Sequence, residues 1–462
     1  MSLEGAIAAH RFGLGARPGE IARASADPKS WLMAQLDGPA EQPKSADGGP
    51  FANAGKLVSE EEDYKFEKRM AKGEKTATDA KAGGRTKAAG GNARKQEYMD
   101  EMAARFALGF TTDKPFAERI VRFWSNHFTV SAAHRKTMMF LGDFEREAIR
   151  PHINGSFEDM LFAVCMHPAM QVYLDNWHSI GPDSPGARRS GKGLNENLGR
   201  ELMELYTLGV DGGYTQADVI AMAKLLTGWG LYDERPNGFG FFEQNHEPGP
   251  ITLRGKTYPA GWEGSVAAIA DLAHDKATAR HIARKFATHF IADDPPASSV
   301  ARLERTFNET RGNLHALAEA VVNDPAAWTA QPSKMRTPVE YVTAAMRLVG
   351  WPHADDPDHR AKQMRRTMAA VRLMGEVPFA APSPKGWPDN ADAWSGSDGL
   401  LDRIEWAREF GNALPASLNA AAVAEMGLGP LLRPATRAVM ARAASQGEAV
   451  ALLLASPEFQ RR

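Results

Sequence analysis

Prolines that follow a polar residue at a helix corner are the feature that most restricts how this chain folds. The pairs Asp27-Pro28, His167-Pro168, Asp324-Pro325 and Ser456-Pro457 are of this kind. A capping side chain followed by proline favours the first turn of a helix. The last three pairs also follow apolar runs that are typical of the end of another helix. The sequence therefore predicts stacked helical hairpins with tight corners.

Convincing strand patterns are confined to one short region. The run Phe-Gly-Phe-Phe from Phe239 and the segment 251–258 have the aromatic and β-branched content of strands. From Val266 onward the pattern predicts one helix after another. The predicted fold class is mainly α, made of multi-helical packed hairpins with one small β-hairpin.

Composition predicts how the chain is divided into domains. The 462 residues are 43% hydrophobic, which is enough for a sizeable core. Residues 37–97 are instead rich in Lys, Glu, Gly, Ala and Thr, so they bury too little apolar surface to offset their ordering entropy. We interpret them as a mobile charged insertion with a helical piece near Tyr64. The predicted main helical domain comprises 1–36 and 98–330, and a C-terminal helical domain comprises 331–462.

The overall charge excludes some classes of function. The formal net charge of −2 gives no global attraction to nucleic acid, so no nucleic-acid partner is expected. An alternative that stays open is that the Lys-rich insertion binds an anionic polymer. No apolar run is long enough for a transmembrane segment. The start of the chain has an acid at Glu4 and no basic leader before a hydrophobic stretch, so the expected location is cytoplasmic.

The single Cys165 lies in an apolar run, which favours a packed core thiol over a nucleophile.

The segment 193–209 is the strongest candidate for a site. At helical spacing its leucines share one face, while Asn197, Arg200, Glu201 and Glu204 lie away from that face. Ion pairs four residues apart explain Arg200 and Glu204 without any function. Glu201 and Asn197 lie closer to the apolar stripe, where a carboxylate and an amide need hydrogen-bond partners. These two residues therefore carry the functional hypothesis.

The turn after this segment has a structural explanation. Thr215 and Asp218 have the spacing of a capping box that begins the next helix. The sequence Asp-Gly-Gly-Tyr-Thr from Asp211 is also similar to part of a calcium loop, but the alternating oxygen ligands and the terminal Glu are missing.

Known catalytic signatures are absent from the sequence. It contains no nucleophile elbow, phosphate-binding loop, dinucleotide fingerprint or Cys-x-x-Cys pair. Nor do two histidines form a close metal-binding pair, although a distributed site of His127 and His246 with Glu201 or Glu204 stays open. Cofactor and metal are left undetermined.

We predict a single polar pocket that serves a hydrolase-like or ligand-modifying enzyme. Glu201 would be the general base or a metal ligand, His127 its acid–base partner, and Arg200 an anion clamp. The alternative is a non-catalytic scaffold or partner-binding protein, in which the same side chains tie helices together. The predicted catalytic residues are Glu201, His127, Glu204 and Arg200, and the predicted ligand-binding residues are Trp124, Asn126, Asn195, Asn197, Tyr214, Trp229 and His246.

Several motifs resemble the bacterial domain-of-unknown-function 1800 family. They include the stretches 124–130, 195–197, 213–219, 226–229, 386–388 and 456–460. The resemblance covers nearly the whole chain except the insertion and implies a largely helical protein of unestablished activity. Members of the family are often exported and often encoded beside a protein of the domain-of-unknown-function 1501 family, which resembles sulfatases and alkaline phosphatases. Such a protein is therefore an expected partner.

The chain departs from this family's pattern at three places. Tyr206 stands where many members have histidine, which weakens any mechanism that needs a base there. His246-Glu247 replaces a common His-Asp and keeps a carboxylate of longer reach. The sequence also lacks the export signal of many members.

Overall fold

The computed structural model describes residues 1–71, 91–134, 136–191, 193–332, 334–351 and 357–462, without the side chains of 66–71, 91–94 and 357–359. Within these ranges the chain is mainly α-helical, which confirms the predicted fold class. The helices before the strands are α1 (Leu3–Ile7), α2 (Glu20–Ala24), α3 (Pro28–Met33), α4 (Ala54–Ala71), α5 (Gly91–Thr111), α6 (Pro115–His127), α7 (Leu141–Phe144), α8 (Phe157–Met166), α9 (Pro168–Tyr173), α10 (Pro185–Ser190), α11 (Asn197–Glu201) and α12 (Gln216–Leu225).

After the strands the described part of the chain is mainly helical. Its helices are α13 (Trp262–Ala273), α14 (Lys276–Phe290), α15 (Ala297–Glu309), α16 (Leu314–Val322), α17 (Pro338–Leu348), α18 (Pro357–Leu373), α19 (Ser397–Asn412), α20 (Ala420–Leu428), α21 (Pro434–Met440), α22 (Gln446–Ala455) and α23 (Pro457–Gln460). Helices α14, α15 and α16 follow one another as packed neighbours, and α19 packs on α22.

The proline corners begin helical turns as the sequence predicted. The Asp27 side chain accepts a hydrogen bond from the Ser30 amide at 3.1 Å, and α3 starts at the next residue, Pro28. Ser456 caps α23 in the same way, and Asp324 caps a 3-10 turn. At His167 the cap is the imidazole Nδ1, which accepts from the Ala169 amide at 3.1 Å. A side-chain acceptor therefore satisfies one free amide at each corner.

Three helices continue into a π-helical turn. These turns are Ala8–Phe12 after α1, Glu145–Ile149 after α7 and Leu202–Tyr206 after α11. Such turns change the direction in which the following side chains project, and they are frequent at functional sites.

Two β-hairpins form in the described ranges, where the sequence predicted one. Strand β3 (Ile251–Leu253) pairs with β4 (Lys256–Tyr258), in the segment where a strand pattern was found. The run at Phe239 forms β2 (Phe239–Phe241), which pairs separately with β1 (Trp229–Leu231). Strand β1 was not predicted, because Trp-Gly-Leu contains no β-branched residue and only one aromatic residue.

The predicted domain division stays a prediction, although its proposed boundaries can be placed on the structure. Helix α4 spans the helical piece expected near Tyr64, while 72–90 of the insertion lie outside the described residues. Across the boundary near 331, Arg347 bonds to Glu20 at 2.7 Å and Arg119 to Glu340 at 2.5 Å. One hydrophobic core includes buried side chains from both sides of it.

Two smaller expectations can be compared directly with the structure. Cys165 is fully buried, and burial raises the pKa of its thiol to about 12, as fits a packed core residue. Among the described helices, none is both long and apolar enough to cross a membrane.

Candidate functional site

A cavity of about 410 Å³ opens between α6, α14, the start of α17 and the segment 376–389. Its ionisable residues are six with basic side chains, three carboxylic acids and two histidines: Arg105, Arg119, Arg122, Arg284, Lys285, Lys385, Glu340, Glu376, Asp389, His127 and His289. The lining therefore carries more positive than negative groups.

Asn126 fixes one wall of this cavity. Its side-chain amide donates to the Trp387 carbonyl at 2.9 Å, and its Oδ1 accepts from the Trp387 amide at 2.8 Å. The neighbouring Gly386 has φ +83°, and a Cβ there would come within 2.4 Å of the Asn126 carbonyl oxygen. Because only glycine allows this approach, residues 386–389 cross directly over the end of α6.

Lys285 forms the most unusual interaction in the cavity. Its ammonium donates to Nδ1 of His127 at 2.9 Å, and Nε2 of His127 donates to the Tyr206 carbonyl at 3.1 Å. This arrangement requires a neutral imidazole with its proton on Nε2. Burial, Lys285 and His281 hold the pKa of His127 well below its usual value. His127 thus positions Lys285 and has no free nitrogen for acid–base work.

The Lys285 ammonium lacks a direct counter-ion. Among the described residues, no carboxylate oxygen lies within 4 Å of its Nζ atom. Burial lowers the pKa of Lys285 to about 8, although Asp389 acts in the opposite direction. An ammonium that is short of negative partners favours an incoming anion.

Arg122 is a second incompletely paired cation. Its side chain is only 10% exposed, and its closest carboxylate contact, to Glu118, is 3.6 Å long. Glu118 is already bonded to Arg150 through both oxygens, at 2.7 and 3.1 Å. The Nε and Nη2 atoms of Arg122 have no hydrogen-bond partner within the described ranges. Three N–H bonds of this buried guanidinium therefore lack an acceptor among the described residues.

Asp389 and His289 form a hydrogen-bonded pair on the same wall. The Oδ2 of Asp389 lies 2.6 Å from Nδ1 of His289. Although burial acts to raise it, the pKa of Asp389 is lowered by His289, Lys334 and Arg462. Burial lowers the pKa of His289, against the influence of Asp389. An ionised carboxylate beside a neutral imidazole places the ring proton on Nδ1 and leaves Nε2 as a base.

The Nε2 atom of His289 has no hydrogen-bond partner within the part of the chain that the structure describes. The side chain is 11% exposed and packs edge-on against Phe290. A carboxylate that orients a histidine with a free second nitrogen is the arrangement of a general base.

Two further carboxylates border the cavity and differ in charge state. Glu340 bonds to Arg119 and, at 3.0 Å, to Arg462, and these arginines overcome burial and hold its pKa well below the usual value. For Glu376, burial dominates and raises the pKa to about 7, although the carboxyl accepts a hydrogen bond from the Val339 amide at 2.8 Å.

Of the residues predicted from the sequence, Asn126 and His127 line this cavity. The neighbouring Trp124 is 1% exposed and packs in the core against Phe128, Phe157 and Phe286. Residues on one stretch of α6 thus divide between cavity and core according to the face on which they lie.

The residues predicted around Glu201 lie together elsewhere, at the surface. Glu201 is partly buried, and burial followed by Glu204 raises its pKa, while Arg200 lowers it. Arg200 bonds to Glu196 at 2.8 Å, and these side chains are 38% and 34% exposed. Burial, Glu204 and Glu201 raise the pKa of Tyr214, while Arg200 lowers it. None of these residues belongs to the lining of the cavity described above.

Asn195 and Asn197 make local contacts at the start of the same helix. The Oδ1 of Asn195 accepts from the Asn197 amide at 2.8 Å, and the Asn195 amide donates to Ser179. Asn197 is exposed. These contacts are those of a helix entry.

His246 and Trp229 belong to the hairpin region. Nε2 of His246 accepts from the Gly261 amide at 2.8 Å, so its Nδ1 carries the proton and donates to the Thr227 carbonyl at 2.9 Å. Trp229 is buried and stacks on Trp262. His246 therefore ties two loops together through both ring nitrogens. The structure does not bring Glu201, His127 and His246 into one pocket.

The sequence reasoning missed Arg122, Lys285, His289, Asp389 and Glu376. Two signals were present. His281, Lys285 and His289 are spaced by four residues and share one face of α14. Asp389 directly follows the motif 386–388, which supported the family resemblance.

One group in the described ranges has the donor atoms to hold a metal ion. It consists of Asp143, Glu147 and His167, each of which offers one ligand atom within 4.8 Å of the others. The sequence motifs alone do not reveal it, because His167 lies twenty residues from Glu147.

The fold and the cavity define a mainly helical protein with a cationic pocket lined by a carboxylate–histidine pair. The chain belongs to the family described as protein of unknown function (DUF1800), whose sequence profile matches residues 7–461. The predicted family is thereby confirmed. Neither the curated proteins nor the solved structures with which the chain was compared gave a match.

Proposed function

We propose that the protein is a ligand-modifying enzyme whose cavity binds a small molecule with a carboxylate or phosphate group. The observation that carries this proposal is the Lys285 ammonium, which is bonded to a neutral imidazole and has no carboxylate oxygen of the described residues within 4 Å. Arg122, with three N–H bonds that lack an acceptor among the described residues, supplies a second positive partner. A bound anion would satisfy both.

In this proposal the residues have different roles. Lys285 and Arg122 bind the anionic group, and His127 orients Lys285 through Nδ1. His289, oriented by Asp389, accepts a proton from the substrate or from water through its Nε2 atom. Asn126 holds the segment that carries Asp389 in place.

Binding is tested with malonate and inorganic phosphate as probes, measured by calorimetry. We expect Lys285→Met to weaken malonate binding by roughly tenfold or more, since a charge-assisted hydrogen bond is lost. Lys256→Met is the matched control, because it removes a surface ammonium that is bonded to Asp271. Arg200→Met, which removes the clamp predicted from the sequence, should leave the affinity within about twofold. Equal affinity in the wild type and Lys285→Met would refute the proposed anion site.

The same titration has an expected pH dependence. Malonate keeps its charge above neutral pH, so a change in affinity reports on the protein. As the pH rises from 7 to 9 through the Lys285 pKa of about 8, the ammonium is lost and affinity should fall roughly tenfold. In Lys285→Met the fall should be absent.

The role of His289 is tested by acylation with diethyl pyrocarbonate, followed by mass spectrometry. We expect His289 to react slowly and malonate to protect it, because its Nε2 atom is unpartnered but buried in the lining of the cavity. His127 has hydrogen bonds at both ring nitrogens and should stay unmodified. An unreactive His289 would contradict its assignment as the base.

The remaining functional expectations keep their status as predictions. Catalysis through Glu201, and association with a domain-of-unknown-function 1501 protein, rest on the sequence and on the family resemblance. The scaffold alternative also stays a prediction.

A further inference from the structure

We propose that Asp143, Glu147 and His167 form a binding site for one divalent transition-metal ion. Asp143 lies on α7, Glu147 follows in the π-helical turn, and His167 begins α9. Asp143 and Glu147 are four residues apart on one helical element, and the polypeptide brings the imidazole against them. This site is independent of the proposed anion cavity.

The distances suit coordination of an ion. Nε2 of His167 lies 3.4 Å from Oδ2 of Asp143 and 3.7 Å from Oε2 of Glu147. Ligand atoms about 2.1 Å from a tetrahedral ion stand about 3.4 Å from one another. An ion therefore fits among the three groups after small side-chain movements.

Asp143 is the observation that points to a ligand. Its side chain is 0% exposed, and neither carboxylate oxygen has a hydrogen-bond partner within the described ranges. The Nε2 atom of His167 also has none, and that side chain is 5% exposed. A buried carboxylate without partners is strongly disfavoured in proteins, so a group that binds it is expected.

The surrounding charges also favour a divalent cation. Glu101 and Glu147 lie close enough to Asp143 to act on its carboxylate, and so does the cation of Arg146. Arg146 is itself bonded to Glu101 at 2.5 Å. With all three carboxylates ionised, these four side chains sum to two negative charges, which one divalent ion would balance.

Glu147 gives the ion a path from solvent. Its side chain is 33% exposed, in contrast to the other two ligands. The Oε1 atom of Glu147 accepts from the Ala54 amide at 3.2 Å, which leaves Oε2 for coordination. Three protein ligands leave at least one coordination position open.

The donor set indicates the class of ion. One imidazole and two carboxylates suit zinc or manganese, whereas magnesium and calcium prefer oxygen ligands alone. Coordination through Nε2 moves the ring proton to Nδ1, so the cap to the Ala169 amide is given up on binding. The neighbouring Pro168 keeps the first turn of α9 in place.

The test uses the untagged full-length chain, stripped with a chelator and then incubated with Zn²⁺ or Mn²⁺. We expect one ion per chain by mass spectrometry after gel filtration, and a higher Tm, with no such rise from Mg²⁺. Asp143→Asn should weaken metal binding at least tenfold. Without metal this variant should be as stable as the wild type or more stable, because the buried carboxyl group that it replaces has no hydrogen-bond partner among the described residues.

The matched control is Glu158→Gln. It alters another carboxylate–histidine pair, in which Oε2 of Glu158 lies 2.6 Å from Nε2 of His274. This variant should bind the ion like the wild type. Absence of stoichiometric binding, or equal binding by Asp143→Asn, would overturn the metal site. The proposal would also be overturned if Asp143→Asn were less stable than the wild type when neither contains metal. In that case a protonated His167 would already be the ionic partner of the Asp143 carboxylate.

Discussion

The cavity and the segment 195–214 both contain acidic, basic and amide side chains, but several charged groups of the cavity are buried, whereas the charged groups of the segment are more exposed. In the cavity, Arg119 and Glu340 are almost fully buried and depend on each other. In the segment, Arg200 and Glu196 are more than a third exposed and are solvated. Pairing in the cavity leaves certain groups, such as Lys285, without a direct counter-ion. The difference teaches that burial, rather than the density of polar residues, produces groups that need a ligand.

The largest expected effect tests the buried side of this comparison. Glu340→Gln removes the carboxylate that is shared by Arg119 and Arg462 and leaves two buried cations without it. We expect a loss of about 3 to 5 kcal/mol in the free energy of unfolding, measured with urea. The control is Glu425→Gln, whose pair with Arg437 is nearly half exposed and should change stability by less than about 1 kcal/mol. A loss equal to that of the control would break the comparison.

An intermediate effect is expected from Glu376→Gln and depends on pH. Burial raises the pKa of Glu376 from 4.5 to about 7 in the folded protein, so the folded state binds the proton more tightly than the unfolded chain. Its stabilising contribution is present below pH 4.5 and is lost as the pH rises through 7. At pH 8 the variant should be more stable than the wild type by on the order of 2 kcal/mol, measured by urea unfolding across the pH range.

Glu201→Gln provides the matched comparison for that experiment. Its pKa is raised in the same direction, by burial first and then by Glu204, so the sign of the effect should be the same. Because Glu201 is partly exposed, we expect a smaller change with pH. A larger change in stability with pH for Glu201→Gln than for Glu376→Gln would contradict the expectation that the more buried carboxyl group has the larger effect.

The smallest effect is expected from Glu196→Gln in the surface segment. This substitution weakens the pair with Arg200 four residues away, while the contact with Gln216 can persist. The expected loss is about 0.2 to 0.5 kcal/mol, and added salt should reduce the difference further. A loss above about 1 kcal/mol, insensitive to salt, would show that this segment carries more than solvated pairs.

Much of the fold could be predicted because its signals are local. The capping box of Thr215 and Asp218 forms as expected, and the proline corners at Pro28 and Pro457 begin helices. Strand β1 was not predicted, because its three residues include a central glycine and no β-branched side chain.

The candidate site could be predicted only in part. Asn126 and His127 were identified from their motif, and the structure shows them at the cavity. Lys285 and His289 were missed, because their spacing on α14 is equally typical of a solvated helix face. Which face is buried depends on packing against α6 and on the segment that Asn126 holds.

The sequence by itself determined the helices, their caps and corners, and the family to which the chain belongs, because these depend on short-range hydrogen bonds and on contiguous motifs. Only the tertiary structure decided which charges meet. The pairs of His127 with Lys285 and of Asp389 with His289 join residues that are 158 and 100 positions apart. The loss of water around them, which sets their protonation and their need for a partner, arises only when those distant segments pack together.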